Sequence, residues 1–128
     1  MKEIRQIRRG DIYYVDLRTD AYGSEQSGIR PVLVIQNDIG NLHSPTVIVA
    51  AITTRRKKHS LPTHVPINRS PGLYPSLILL EQLRTIDKGR LTEYVCTLEA
   101  VEMEQVGEAL AISVGCRKPE EEHADPNL

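Results

Sequence analysis

From residue 9 to residue 94 the chain alternates short apolar runs with turn-forming residues, the signature of strands rather than helices. The runs predict strands over 12–17, 32–36, 47–53, 64–67, 76–80 and 91–95, with loops from Asn37 to Pro45 and from Asn68 to Gly72 and a short turn at Asp87-Lys88-Gly89. Several short strands in one small domain point to a compact, highly curved β-barrel. The period then changes. Over 99–114, Met103, Val106, Gly107, Leu110 and Val114 recur at helical spacing as one inward stripe, while Glu99, Glu102, Gln105 and Glu108 lie off it. The early acids suit a helix N-terminus, and Gly115 supplies the stop. Residues 119–128 are acidic and polar and read as a disordered tail, which leaves 1–118 as a single folded domain.

One strand start stands out chemically. Between Gly23 and Ile35 a polar loop with glycines at both ends runs into an apolar, β-branched segment, with Arg30 and Pro31 at the junction. A guanidinium anchored on rigid backbone beside an open loop suits a phosphate, although strand-end arginines are also commonly solvated or paired with a carboxylate. The next apolar run ends in Thr53-Thr54-Arg55-Arg56-Lys57-Lys58. If 30–36 and 46–52 pair antiparallel, opposed residue numbers sum to about 82, so Arg30 lies near Ile52 and Ile29 near Thr53. Arg30 and Thr53 then share one end of two neighbouring strands. A one-residue shift would set both side chains on one face.

Composition narrows the classes. A chain of 128 residues, 40% hydrophobic and 26% charged, fits one soluble domain that buries a core without metal or disulfide staples. Phe and Trp are absent, so the core is aliphatic, and a fold that stacks bases on rows of Phe is disfavoured. The longest apolar run, 47–52, is too short to span a bilayer, and the charged N-terminus leads into no signal core. The expectation is therefore a cytoplasmic protein with no membrane partner. Cys96 and Cys116 fall outside any metal pattern and His43, His59, His64 and His123 are scattered, so neither metal nor cofactor is expected.

The net charge of −1 hides an asymmetry: residues 1–60 carry ten Lys/Arg against six Asp/Glu, and residues 61–128 carry six against eleven. Arg55, Arg56, Lys57 and Lys58 follow the strand that ends in Thr53, where a phosphate track competes with the plainer reading of a solvated loop.

Three blocks carry a family resemblance. They are Arg9-Gly10-Asp11-Ile12-Tyr13-Tyr14-Val15-Asp16-Leu17, Gly23-Ser24-Glu25-Gln26 through Arg30-Pro31-Val32-Leu33-Val34-Ile35-Gln36-Asn37-Asp38, and Leu79-Leu80-Glu81-Gln82-Leu83-Arg84-Thr85-Ile86-Asp87-Lys88. With Ser44-Pro45-Thr46, Ile52-Thr53 and Leu61-Pro62-Thr63-His64-Val65 between them, the chain from about Arg8 to Gly115 resembles the MazF/PemK toxins. Those proteins are sequence-specific, metal-independent endoribonucleases of bacterial toxin–antitoxin pairs. The resemblance implies a mainly β fold, a small SH3-like β-barrel with a C-terminal helix, assembled as a homodimer. It further implies single-stranded RNA as substrate, a cognate antitoxin as inhibitor, and 2′,3′-cyclic phosphate and 5′-hydroxyl products.

The family's catalytic Arg and Thr correspond to Arg30 and Thr53. Charge stabilisation by Arg30 ranks ahead of proton transfer, because a guanidinium barely populates its neutral form in proteins. Glu25 is a candidate base, and His64, flanking a strand, is more in keeping with a structural role. Ser24 and Gln26 in the loop are expected to contact bases, with Gln82 a candidate for the same work or for capping a loop. Ser27 stands where the family commonly has a second glycine, and Arg55, Arg56, Lys57 and Lys58 are more basic than is usual there. Two other classes remain open on sequence: a toxin on the same barrel that poisons DNA gyrase without being an enzyme, and an SH3-like module. The second would show a groove of exposed aromatics, for which five Tyr are thin material.

Overall fold

A computed structural model describes residues 5–17, 28–54, 61–68 and 72–119. Ser24, Glu25, Gln26 and Ser27, the basic run Arg55, Arg56, Lys57 and Lys58, and tail residues 120–128 lie outside them. Six strands form one antiparallel sheet: β1 (Asp11–Asp16), β2 (Ile29–Val34), β3 (Thr46–Thr53), β4 (His64–Ile67), β5 (Ser76–Asp87) and β6 (Leu91–Thr97), in the open order β4-β5-β3-β2-β1-β6. Helix α1 (Asp38–His43) joins β2 to β3, and α2 (Ala100–Ser113) follows β6.

Both faces of the central strands are buried, which is why β2 and β3 read as unbroken apolar runs rather than as alternation. One cluster joins Ile12, Leu33, Ala50, Ile52, Ile78 and Leu80 to Val106 and Ala109 of α2. The other holds Val15, Leu17, Val32, Val34, Val47, Val49 and Ile86 on the opposite face. Each such Val, Leu or Ile withdrawn from water contributes about 1.5–3 kcal/mol, so the two clusters hold the sheet rigid from both sides.

Three features differ from the sequence expectation. Asn37 to Pro45 holds a short helix rather than a plain loop: Asn37 caps it by accepting the Gly40 N–H at 2.8 Å, and Asn41 buries its amide against Gln36. Six residues around a glycine leave no periodicity to read. Strand β5 runs to Asp87 instead of ending at Leu80. Ala50 pairs with Leu83 but Ala51 with Leu79, so Leu80, Glu81 and Gln82 bulge from the ladder and the strand resumes beyond them. In α2 the buried residues are Val106 and Ala109, with Met103 and Leu110 packed beside them, whereas Val114 is the C-cap and is exposed. Gly115, at φ +80°, ends the helix as expected, letting the Cys116 N–H reach the Ala111 carbonyl at 2.7 Å.

Candidate active site

The β2–β3 ladder pairs Val32 with Ala51, Leu33 with Ala50 and Val34 with Val49. This is one residue beyond the expected register. The ladder's last pair is Val32 with Ala51; extended two residues past it, the same register would bring Arg30 opposite Thr53, and residues opposed in an antiparallel pair point to the same face. Arg30 pairs with Val15 on β1, Thr53 with Leu77 on β5, and Leu77 with Pro66 on β4. Two paired segments, Val15 with Arg30 and Thr53 with Leu77 and Pro66, thus meet at the end of the β2–β3 ladder. Val15 and Leu77 are buried, Thr53 is 3% exposed and Arg30 is half-buried.

The cation and the hydroxyl each lie beside a buried apolar partner, Val15 for Arg30 and Leu77 for Thr53, where water screens them less than at an open surface. The β1–β2 pair closes on the loop side at Gly28, whose φ of +86° favours glycine and whose carbonyl accepts the Leu17 N–H at 2.8 Å. Nothing crowds a Cβ there, so the requirement at Gly28 is conformational rather than steric. A planar guanidinium fork beside a hydroxyl on fixed backbone can grip the oxygens of one phosphate.

Residues 8–114 match the family model described as PemK-like, MazF-like toxin of type II toxin-antitoxin system. The chain belongs to this family. It is 56% identical over 110 residues to the endoribonuclease EndoA of Bacillus subtilis (strain 168), covering 84% of this chain and 94% of that one. With the endoribonuclease MazF of Staphylococcus saprophyticus it shares 54% identity over 111 residues, 85% of this chain and 92% of the other. Among solved structures, a mycobacterial endoribonuclease in complex with its cognate antitoxin superposes with a TM-score of 0.73 at 27% identity, covering 88% of this chain and 99% of that chain.

In this MazF-family chain, Gln82 sits in the β5 bulge, half-buried, on the strand that flanks β3. Beyond the bulge Arg84 pairs with Val49 and so faces the same side of the sheet as Arg30. Sequence reasoning misses Arg84 because β5 reads as stopping before it; the apolar Leu83 and Ile86 on either side are the available signal.

His64 is held at both ring nitrogens. Its Nδ1 accepts the Leu61 N–H at 3.2 Å, which leaves Nε2 to carry the proton and donate to Glu81 at 2.9 Å. Burial pushes the Glu81 carboxyl up, but hydrogen bonds from His64, its own backbone N–H and Thr63 outweigh that and hold it below the usual range. The His64 ring is fully buried, so this pair is a latch tying β4 to the β5 bulge, in keeping with a structural histidine.

Among the described residues no three of His, Cys, Asp or Glu gather into a group that could hold a metal ion. No helix among them is long and apolar enough to cross a membrane.

Proposed function

We propose that this MazF-family endoribonuclease cuts single-stranded RNA at specific sequences through the RNA's own 2′-hydroxyl, without a metal. The observation that supports this most is the β2–β3 register, which, extended two residues past its last pair, Val32 with Ala51, brings Arg30 opposite Thr53. In the reaction the 2′-oxygen attacks the adjacent phosphorus while a base takes its proton. The bond from phosphorus to the 5′-oxygen breaks and that oxygen is protonated, leaving a 2′,3′-cyclic phosphate and a 5′-hydroxyl.

The barrier comes from charge building on the five-coordinate phosphorus, so donors fixed where that charge appears contribute most to lowering it. Arg30 supplies the cation and the paired N–H groups, and Thr53 donates its hydroxyl to a non-bridging oxygen. Glu25 is the proposed base, with Ser24, Gln26 and Gln82 reading the bases. The chain acts as a cytoplasmic homodimer. Its cognate antitoxin inhibits it by laying an acidic, partly disordered segment along the cleft that takes RNA.

Purified protein incubated with a long RNA in excess EDTA should still cut it, and the new ends should be a cyclic phosphate and a 5′-hydroxyl. Cleavage lost to EDTA and restored by magnesium, or 5′-phosphate ends, would overturn the reading.

A further inference from the structure

Tyr74 is 83% exposed, the most exposed of the large hydrophobic and aromatic side chains among the described residues. A single exposed ring is common enough on a protein surface. What distinguishes Tyr74 is the backbone beneath it. Leu73 packs against the α2-side core cluster, and Gly72 turns the chain at φ +75° close to Val95. Ser76 Oγ donates to the Tyr74 carbonyl at 2.6 Å, and Ser76 itself is fully buried. Pro75 confines the residue before it to extended conformations. The ring therefore stands on anchored chain and has only its own two side-chain torsions to lose on binding.

Its position follows from the ladder. Leu77 lies across from Thr53, and Tyr74 precedes Leu77 by three residues, so at most about 11 Å of chain separates Tyr74 from the strand partner of Thr53. The most exposed aromatic thus stands at the phosphate-gripping end of the sheet. An aromatic face there has one natural occupant, because every base of a single strand offers a π-face and stacking tolerates any sequence.

We propose that Tyr74 is a stacking platform for a base flanking the cleaved phosphate, an inference that rests on the chain being an RNA-cutting enzyme. The single tyrosine would position the strand while the proposed base readers Ser24, Gln26 and Gln82 contact other bases.

The experiment uses a short oligoribonucleotide spanning a cut site mapped with wild-type protein, with the attacking 2′-oxygen methylated so that it cannot react. Tyr74→Ala should weaken binding of this probe roughly 5- to 150-fold, the range for losing one stacked base, while Tyr74→Phe stays within about twofold. The chain has no Trp, so Tyr74→Trp carries a sole indole whose fluorescence should be quenched when the probe binds. Wild-type affinity in Tyr74→Ala, or unquenched fluorescence in a Tyr74→Trp variant that binds the probe, would overturn the platform while leaving the nuclease intact. A wild-type protein that cuts no RNA would instead overturn the parent reading, and the platform with it.

Discussion

Arg30 and Thr53 differ in how much of each is open to water, and that decides how they can be probed. Thr53 is buried, not the peripheral strand-end residue that its position in sequence suggests. Thr53→Ala would therefore mix a small packing loss with the loss of the hydroxyl. Thr53→Val keeps the shape and removes only the donor, and Thr53→Ser keeps the donor. We expect Thr53→Val to fold, with a thermal midpoint near wild type, and to lose about 10²–10³ in kcat, the usual cost of one transition-state donor, while Thr53→Ser retains most activity. Arg30→Ala should lose at least as much, with Arg30→Lys in between, since a point charge lacks the fork. Near-wild-type cleavage by Thr53→Val or Arg30→Ala would remove that residue from the site. Both residues are legible in the sequence from the apolar runs that begin or end at them. The register that would oppose them on one face is not, because a single residue of register depends on how α1 takes up the β2–β3 connection.

Strands and helix are readable wherever one pattern runs uninterrupted, as in β2, β3 and α2. Reading fails at β5, where Glu81 and Gln82 interrupt an apolar run and look like its end. With Leu80 they are instead the bulge that re-aims the strand past β3, and hydrogen bonds from other elements help hold it: Ser113 Oγ of α2 donates to the Leu80 carbonyl at 2.6 Å, and His64 of β4 donates to Glu81 at 2.9 Å. The Glu81 carboxyl titrates. Because the Glu81 carboxyl is held below its unfolded value of about 4.3, it stabilises the fold fully above that pH, and the contribution fades as pH falls through the lower folded value. Glu81→Gln keeps a carbonyl acceptor for His64 but cannot titrate. Its thermal midpoint should therefore fall less than that of wild type between about pH 5 and pH 3. Parallel pH profiles for the two proteins would show that the latch contributes nothing through ionisation.

At the scale of the whole molecule, the weak net charge conceals a basic N-terminal half that carries Arg30 and the run Arg55, Arg56, Lys57 and Lys58. Those four cations begin two residues after Thr53, which the β2–β3 register, extended past its last pair, brings opposite Arg30, so in sequence a basic stretch follows the proposed reaction centre. Such a run suits the RNA backbone on either side of the cut, where attraction is equally strong before and during reaction. Replacing all four with Gln should weaken binding of single-stranded RNA across sequences and flatten its salt dependence. Every phosphate of a single strand that is no longer neutralised removes about 0.7 from the slope of log affinity against log salt, so four cations set a ceiling of about 3. Turnover at saturating RNA should fall far less than in Arg30→Ala, because uniform binding lowers KM without raising kcat. The two outcomes separate a track from a catalytic element: a flattened slope with kept turnover marks the track, and reduced turnover with a kept slope would move these residues into the chemistry. An unchanged slope together with unchanged turnover would return the run to ordinary solvated surface and leave Arg30 as the principal cation for the phosphate.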